Sequence, residues 1–95
     1  MSDLRLKLFI AGDSPRAREA AANLARAVST LDDDGVQVET VDVLEHPDAA
    51  EEYRILTTPT VVREAPAPRR RVTGDLRDIA QVLAALALFP ATPRS

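Results

Sequence analysis

Two stretches of period-two hydrophobicity flank one stretch of helical periodicity, and that arrangement leaves the chain few folds. Leu4-Arg5-Leu6-Lys7-Leu8-Phe9-Ile10 alternates apolar and charged residues, then ends fully apolar. This is the pattern of a strand with one buried face. Val36-Gln37-Val38-Glu39-Thr40-Val41-Asp42-Val43 alternates in the same way. Between them, Ala20, Leu24, Ala27, Val28 and Leu31 recur at spacings of three and four, with Arg16, Arg18, Glu19, Asn23 and Arg26 toward water. Ser14-Pro15 supplies an N-cap followed by proline at the first helical position, so a helix is expected over residues 15–31. Asp32-Asp33-Asp34-Gly35 ends it in a turn. Strand, helix and strand in this order form a right-handed unit with parallel strands.

The second half is less regular. Pro47 opens a short helix, about residues 47–55, whose Asp48, Glu51 and Glu52 favour its positive N-terminal end. Leu56-Thr57-Thr58-Pro59-Thr60-Val61-Val62 is a loop entering a strand. Ala65-Pro66-Ala67-Pro68 is a stiff turn, and Arg70-Arg71-Val72-Thr73 makes a short fourth strand. Asp75 is placed to cap a last helix near residues 76–89, with Leu76, Ile79, Val82, Leu83, Leu86 and Phe89 buried and Pro90 as its stop. The order is β-α-β-α-β-β-α, an α/β thioredoxin-like topology. In that fold the proline before the third strand is commonly cis, and Pro59 stands there. One domain over residues 4–89 is expected, with residues 90–95 a short disordered tail.

Composition narrows the function. A chain of 95 residues supports one domain. It contains no cysteine, so disulfides, thiolate metal sites and thiol redox chemistry are excluded. The one histidine, His46, lies in a turn-like His-Pro pair and makes no His-rich metal site. The aspartate run lacks the alternating ligands and distal glutamate of a calcium loop. A net charge of −3 argues against nucleic acid, and Arg69-Arg70-Arg71 reads as a solvated edge. No run approaches the roughly 20 apolar residues that span a bilayer, so a cytoplasmic location without membrane contact is expected. No cofactor is implied.

Nor is there a persuasive catalytic site. The loop that carries reactive thiols in thioredoxin-like enzymes reads Gly12-Asp13-Ser14-Pro15-Arg16-Ala17, and Ser14 has no histidine or lysine base near it in sequence. The paired carboxylates Glu51 with Glu52, and Asp75 with Asp78, sit at helix ends and turns, away from any shielded cleft. The expectation is a binding protein and not an enzyme. A cysteine-free enzyme of this fold is the remote alternative.

Four segments, in order, resemble the KaiB family. They are Leu6-Lys7-Leu8-Phe9-Ile10-Ala11-Gly12 with Ser14-Pro15; Val41-Asp42-Val43-Leu44 with Pro47, Ala50-Glu51-Glu52 and Ile55-Leu56; Thr58-Pro59-Thr60; and Pro66, Pro68, Arg69-Arg70, Gly74-Asp75-Leu76 with Val82-Leu83. The resemblance implies binding to the N-terminal ATPase ring of a hexameric KaiC-type ATPase in a circadian clock or timer, with KaiA-like or kinase partners. It implies a monomer in the thioredoxin-like state and an alternative homotetramer or dimer of order β-α-β-β-α-α-β. The partner surface implied is Ala50, Glu51, Arg54, Leu56 and Thr58, with Pro59 as the structural cis proline. Tyr53 departs from the charged residue usual in the family, as either a contact anchor or a partly buried ring. Ala80, Ala84, Ala85 and Ala87 favour helix over strand, so the thioredoxin-like state is expected to be favoured here. A second reading is a stand-alone sensor-like domain that binds a signalling kinase.

Overall fold

A computed structural model of the chain describes residues 3–33 and 35–90. Its elements are β1 (Arg5–Ile10), α1 (Pro15–Ser29), β2 (Gln37–Asp42), α2 (Pro47–Glu52), β3 (Thr60–Ala65), β4 (Arg70–Thr73) and α3 (Ile79–Ala85). They form one four-stranded sheet of order β2-β1-β3-β4. β1 runs parallel to β2, with Arg5 beside Gln37 and Ile10 beside Asp42. β3 is antiparallel to β1 and β4 is antiparallel to β3. This is the expected thioredoxin-like order. The Thr58–Pro59 bond is cis, as are the bonds before Pro66 and Pro68.

Strand alternation assigns the two faces of the sheet. Leu6, Leu8 and Val61 point to one side, where Ala20, Leu24 and Ala27 of α1 and Val82, Leu83 and Leu86 around α3 bury them. Phe9, Val41 and Val62 point to the other, where Tyr53 joins them in a smaller core beneath α2. α2 has six residues and covers only the end of the sheet near the close of β1.

The helices are shorter than expected, for local reasons. α1 ends at Ser29, not at residue 31. Ser29 and Thr30 hydroxyls donate back to the carbonyls of Arg26 and Ala27, replacing the next helical bonds. α3 begins at Ile79, not at residue 76, and its N-cap is Asp78, whose carboxylate accepts from the Gln81 N–H at 3.1 Å. Asp75 instead accepts from the Arg77 N–H in a local turn, and its carbonyl receives the side chain of buried Asn23. Leu76 sits at φ 62°, outside helical space. Phe89, expected on the buried face, is 83% exposed because the helix has already ended. Asp34 and the expected tail beyond Pro90 lie outside the described residues.

α2 and α3 end in the same way. At α2 the Ile55 N–H donates to Ala50 O and the Arg54 N–H to Glu51 O. At α3 Leu88 donates to Leu83 O and Ala87 to Ala84 O. These are the paired bonds of a Schellman cap, which needs a left-handed residue just beyond the helix. Arg54 (φ 53°) and Ala87 (φ 54°) take that place, where glycine is usual.

Candidate interaction surface

The surface is built outward from Tyr53. It closes α2 and is 5% exposed, so the residue that departs from the family pattern is a buried ring. The ring packs on Phe9 with centroids 5.2 Å apart. Two cations face it: Lys7 Nζ lies 4.9 Å and the Arg69 guanidinium 4.6 Å from its centroid. Its hydroxyl donates to Glu64 Oε1 at 2.6 Å and accepts from Lys7 Nζ at 3.1 Å. Lys7 and Glu64 also lie 3.4 Å apart as an ion pair. The charges of both groups are favoured, first by the hydrogen bond to Tyr53 and then by each other. Lys7 is held above its ordinary value and Glu64 below, while burial opposes both shifts.

Arg71 completes the attachment. Its guanidinium donates to Tyr53 O at 2.7 Å and Arg54 O at 3.1 Å, satisfying carbonyls that the end of α2 leaves without helical partners. The arginine run is thus more than a solvated edge. Arg69 lies over the Tyr53 ring, and Arg71 crosses from β4 to hold the end of α2.

The residues implied by the resemblance occupy the outer side of this attachment. Ala50 is half-buried and Glu51 exposed, and their carbonyls receive the cap bonds that turn the chain at Arg54. The Arg54 side chain is exposed. Leu56 is 93% exposed. Thr58 is half-buried beside cis Pro59, and Thr57 O receives the Thr60 hydroxyl at 2.7 Å. The cap bonds bring Ala50, Glu51 and Arg54 together. Leu56 and Thr58 follow on the loop into β3, outside that group of cap bonds. Sequence reasoning missed the Lys7–Tyr53–Glu64 group. Its signal was present, since Lys7 and Glu64 are charges on strands that otherwise bury their neighbours.

A second apolar side chain, Leu44, is 70% exposed. Asp42 ties its loop to the one after β1, accepting from the N–H groups of Gly12 at 3.0 Å and Leu44 at 2.9 Å. Gly12 has φ 71°, and a Cβ there would touch Leu44 at 3.4 Å. In the loop that could carry chemistry, Ser14 Oγ accepts from the Ala17 N–H, the capping role expected of it. Among the described residues no cluster of histidine and carboxylate could hold a metal ion, and no helix is long and apolar enough to cross a membrane.

The class that the fold defines is a cysteine-free thioredoxin-like α/β domain with apolar and charged side chains exposed around a short helix. Comparison with known proteins gives the family. Residues 7–88 match the model of the KaiB domain. The circadian clock protein KaiB3 of a Synechocystis strain is 39% identical over 90 residues, covering 95% of this chain and 88% of that protein. The chain belongs to the KaiB family. Among solved structures, the N-terminal domain of Synechococcus elongatus SasA superposes with a TM-score of 0.75 at 23% identity, covering 92% of this chain and 86% of that one. Mitochondrial thioredoxin 3 of Saccharomyces cerevisiae gives 0.71 at 19% identity, covering 92% and 79%. At these identities the two structures speak to the fold alone.

Proposed function

We propose that this chain is a non-enzymatic regulatory module that docks on the N-terminal ATPase ring of a KaiC-type ATPase. The docking surface is Ala50, Glu51, Arg54, Leu56 and Thr58. The observation that carries this reading is Leu56. Leu56 is 93% exposed, and it directly follows Arg54 and Ile55, whose backbone is held by the α2 cap and the Arg71 clamp. A held segment loses little entropy on docking, and an apolar side chain two positions along the chain from a cation suits a desolvated contact with a charged rim. The module acts in a clock or timer in the cytoplasm as a monomer in the thioredoxin-like state. It exchanges with an oligomeric form of order β-α-β-β-α-α-β.

The test is a pull-down against a KaiC-type ATPase with and without ATP. Wild-type protein is retained in at least one nucleotide state. Arg54→Glu weakens retention through charge reversal, and Leu56→Asp weakens it further while circular dichroism stays unchanged. Failure of the wild type to bind in any state defeats the proposal. Unchanged affinity in both variants places the surface elsewhere. Capture of a signalling kinase instead selects the sensor-like reading.

A further inference from the structure

A cavity of about 600 Å³ opens at the end of the sheet where β1 begins and β3 finishes, away from Leu56. Leu4, Leu31, Leu88 and Arg63 line it, together with Asp3 and Asp32. Arg63 is only 7% exposed. Among the described residues its guanidinium donates one hydrogen bond, from Nη2 to Pro68 O at 2.8 Å, and its buried Nε has no partner. It forms no ion pair with the described residues. Directly opposite on β4 stands Arg70, so the cross-strand neighbour on the same face is a second cation.

A buried guanidinium with no carboxylate is unfavourable unless an anion completes it. The matching partner is a carboxylate, which meets the planar N–H fork with two oxygens. An anion alone is a poor match, because the exposed carboxylates of Asp3 and Asp32 line the same space. Three leucines, Leu4, Leu31 and Leu88, line the same space. The volume is within the range of small-molecule sites.

We propose that this cavity binds a zwitterion of the amino-acid class. Its carboxylate meets Arg63, its ammonium faces Asp3 and Asp32, and its carbon chain lies against Leu4, Leu31 and Leu88. The site is separate from the docking surface, so neither proposal depends on the other.

Three probes of matched length test it: 6-aminohexanoate, hexanoate and hexylamine, each titrated into the ¹⁵N-labelled full chain. The expected result is saturable amide shifts around Leu4, Arg63 and Leu88 with 6-aminohexanoate, and about tenfold weaker binding of either singly charged probe. Arg63→Lys keeps the charge without the fork and should weaken 6-aminohexanoate about fivefold. Asp32→Asn, at an exposed position that leaves the fold intact, should weaken 6-aminohexanoate and strengthen hexanoate. No saturable shift with any probe up to about 50 mM overturns the site. Equal binding of hexanoate and 6-aminohexanoate overturns the zwitterion assignment, as does an unchanged preference in Asp32→Asn.

Discussion

Removing one oxygen atom tests how α2 is attached. Tyr53→Phe keeps the ring on Phe9 and under its two cations, but removes the hydroxyl that links Glu64 and Lys7. Each lost bond involves a charged partner, a class that contributes about 1.5–3 kcal/mol. Two effects reduce the sum. Lys7 and Glu64 side chains are 20% and 27% exposed, so water can replace the hydroxyl, and their own contact at 3.4 Å survives. The expected cost is about 2 kcal/mol. With a urea dependence of about 1 kcal/mol per molar for a domain this small, the unfolding midpoint should fall by about 2 M. Circular dichroism is the suitable probe, since the chain has no tryptophan and the substitution removes its one tyrosine. Acid titration gives a second readout. The folded-state pKa of Glu64 lies below its unfolded value, so its contribution is present above about pH 4.5 and is lost as pH falls through the folded value. Tyr53→Phe removes the largest cause of that shift and should flatten the acid limb. A midpoint change under about 0.3 M with an unchanged acid limb would refute the reasoning, showing that the hydroxyl is as well satisfied in the unfolded chain.

The other predictions concern caps and the clamp. Ala87→Gly should stabilise the domain by about 1 kcal/mol, because glycine takes φ near 54° without the Cβ penalty; a lower thermal midpoint would contradict the left-handed cap. Asp78→Ala should cost about 1 kcal/mol and Asp75→Ala less, measured by urea unfolding, since only Asp78 caps α3. Arg71→Met should speed hydrogen exchange at the Arg54 and Ile55 amides far more than in β1, because it frees the end of α2 without touching the main core.

Much of the first half was legible along the chain. β1, α1 and β2 stood out because each presents a single periodic face to one core, and Ser14 capped as its neighbours dictated. The second half was less legible because its decisive bonds are non-local. The start of α3 moved from Asp75 to Asp78 because the Asn23 side chain, 52 positions away, holds the Asp75 carbonyl in a turn. Tyr53 could not be assigned to core or surface without its partners, which lie 46 positions earlier in Lys7 and 11 later in Glu64. Arg71 looked like one charge in a basic run until β4 was paired with β3, which carries Arg71 to the same face as Val62 and the end of α2.

By itself, then, the sequence determined the element order, the thioredoxin-like class, the exclusion of thiol chemistry and the family resemblance. The first three depend on composition and on periodicities that each segment carries alone, and the resemblance on short motifs that follow one another in order. Only the tertiary structure decided that Tyr53 is buried, that Leu56 is left exposed, and that Arg63 is enclosed with no ion pair among the described residues. Burial and partnership are properties of pairs of residues brought together by the sheet, and no single stretch of chain contains both members.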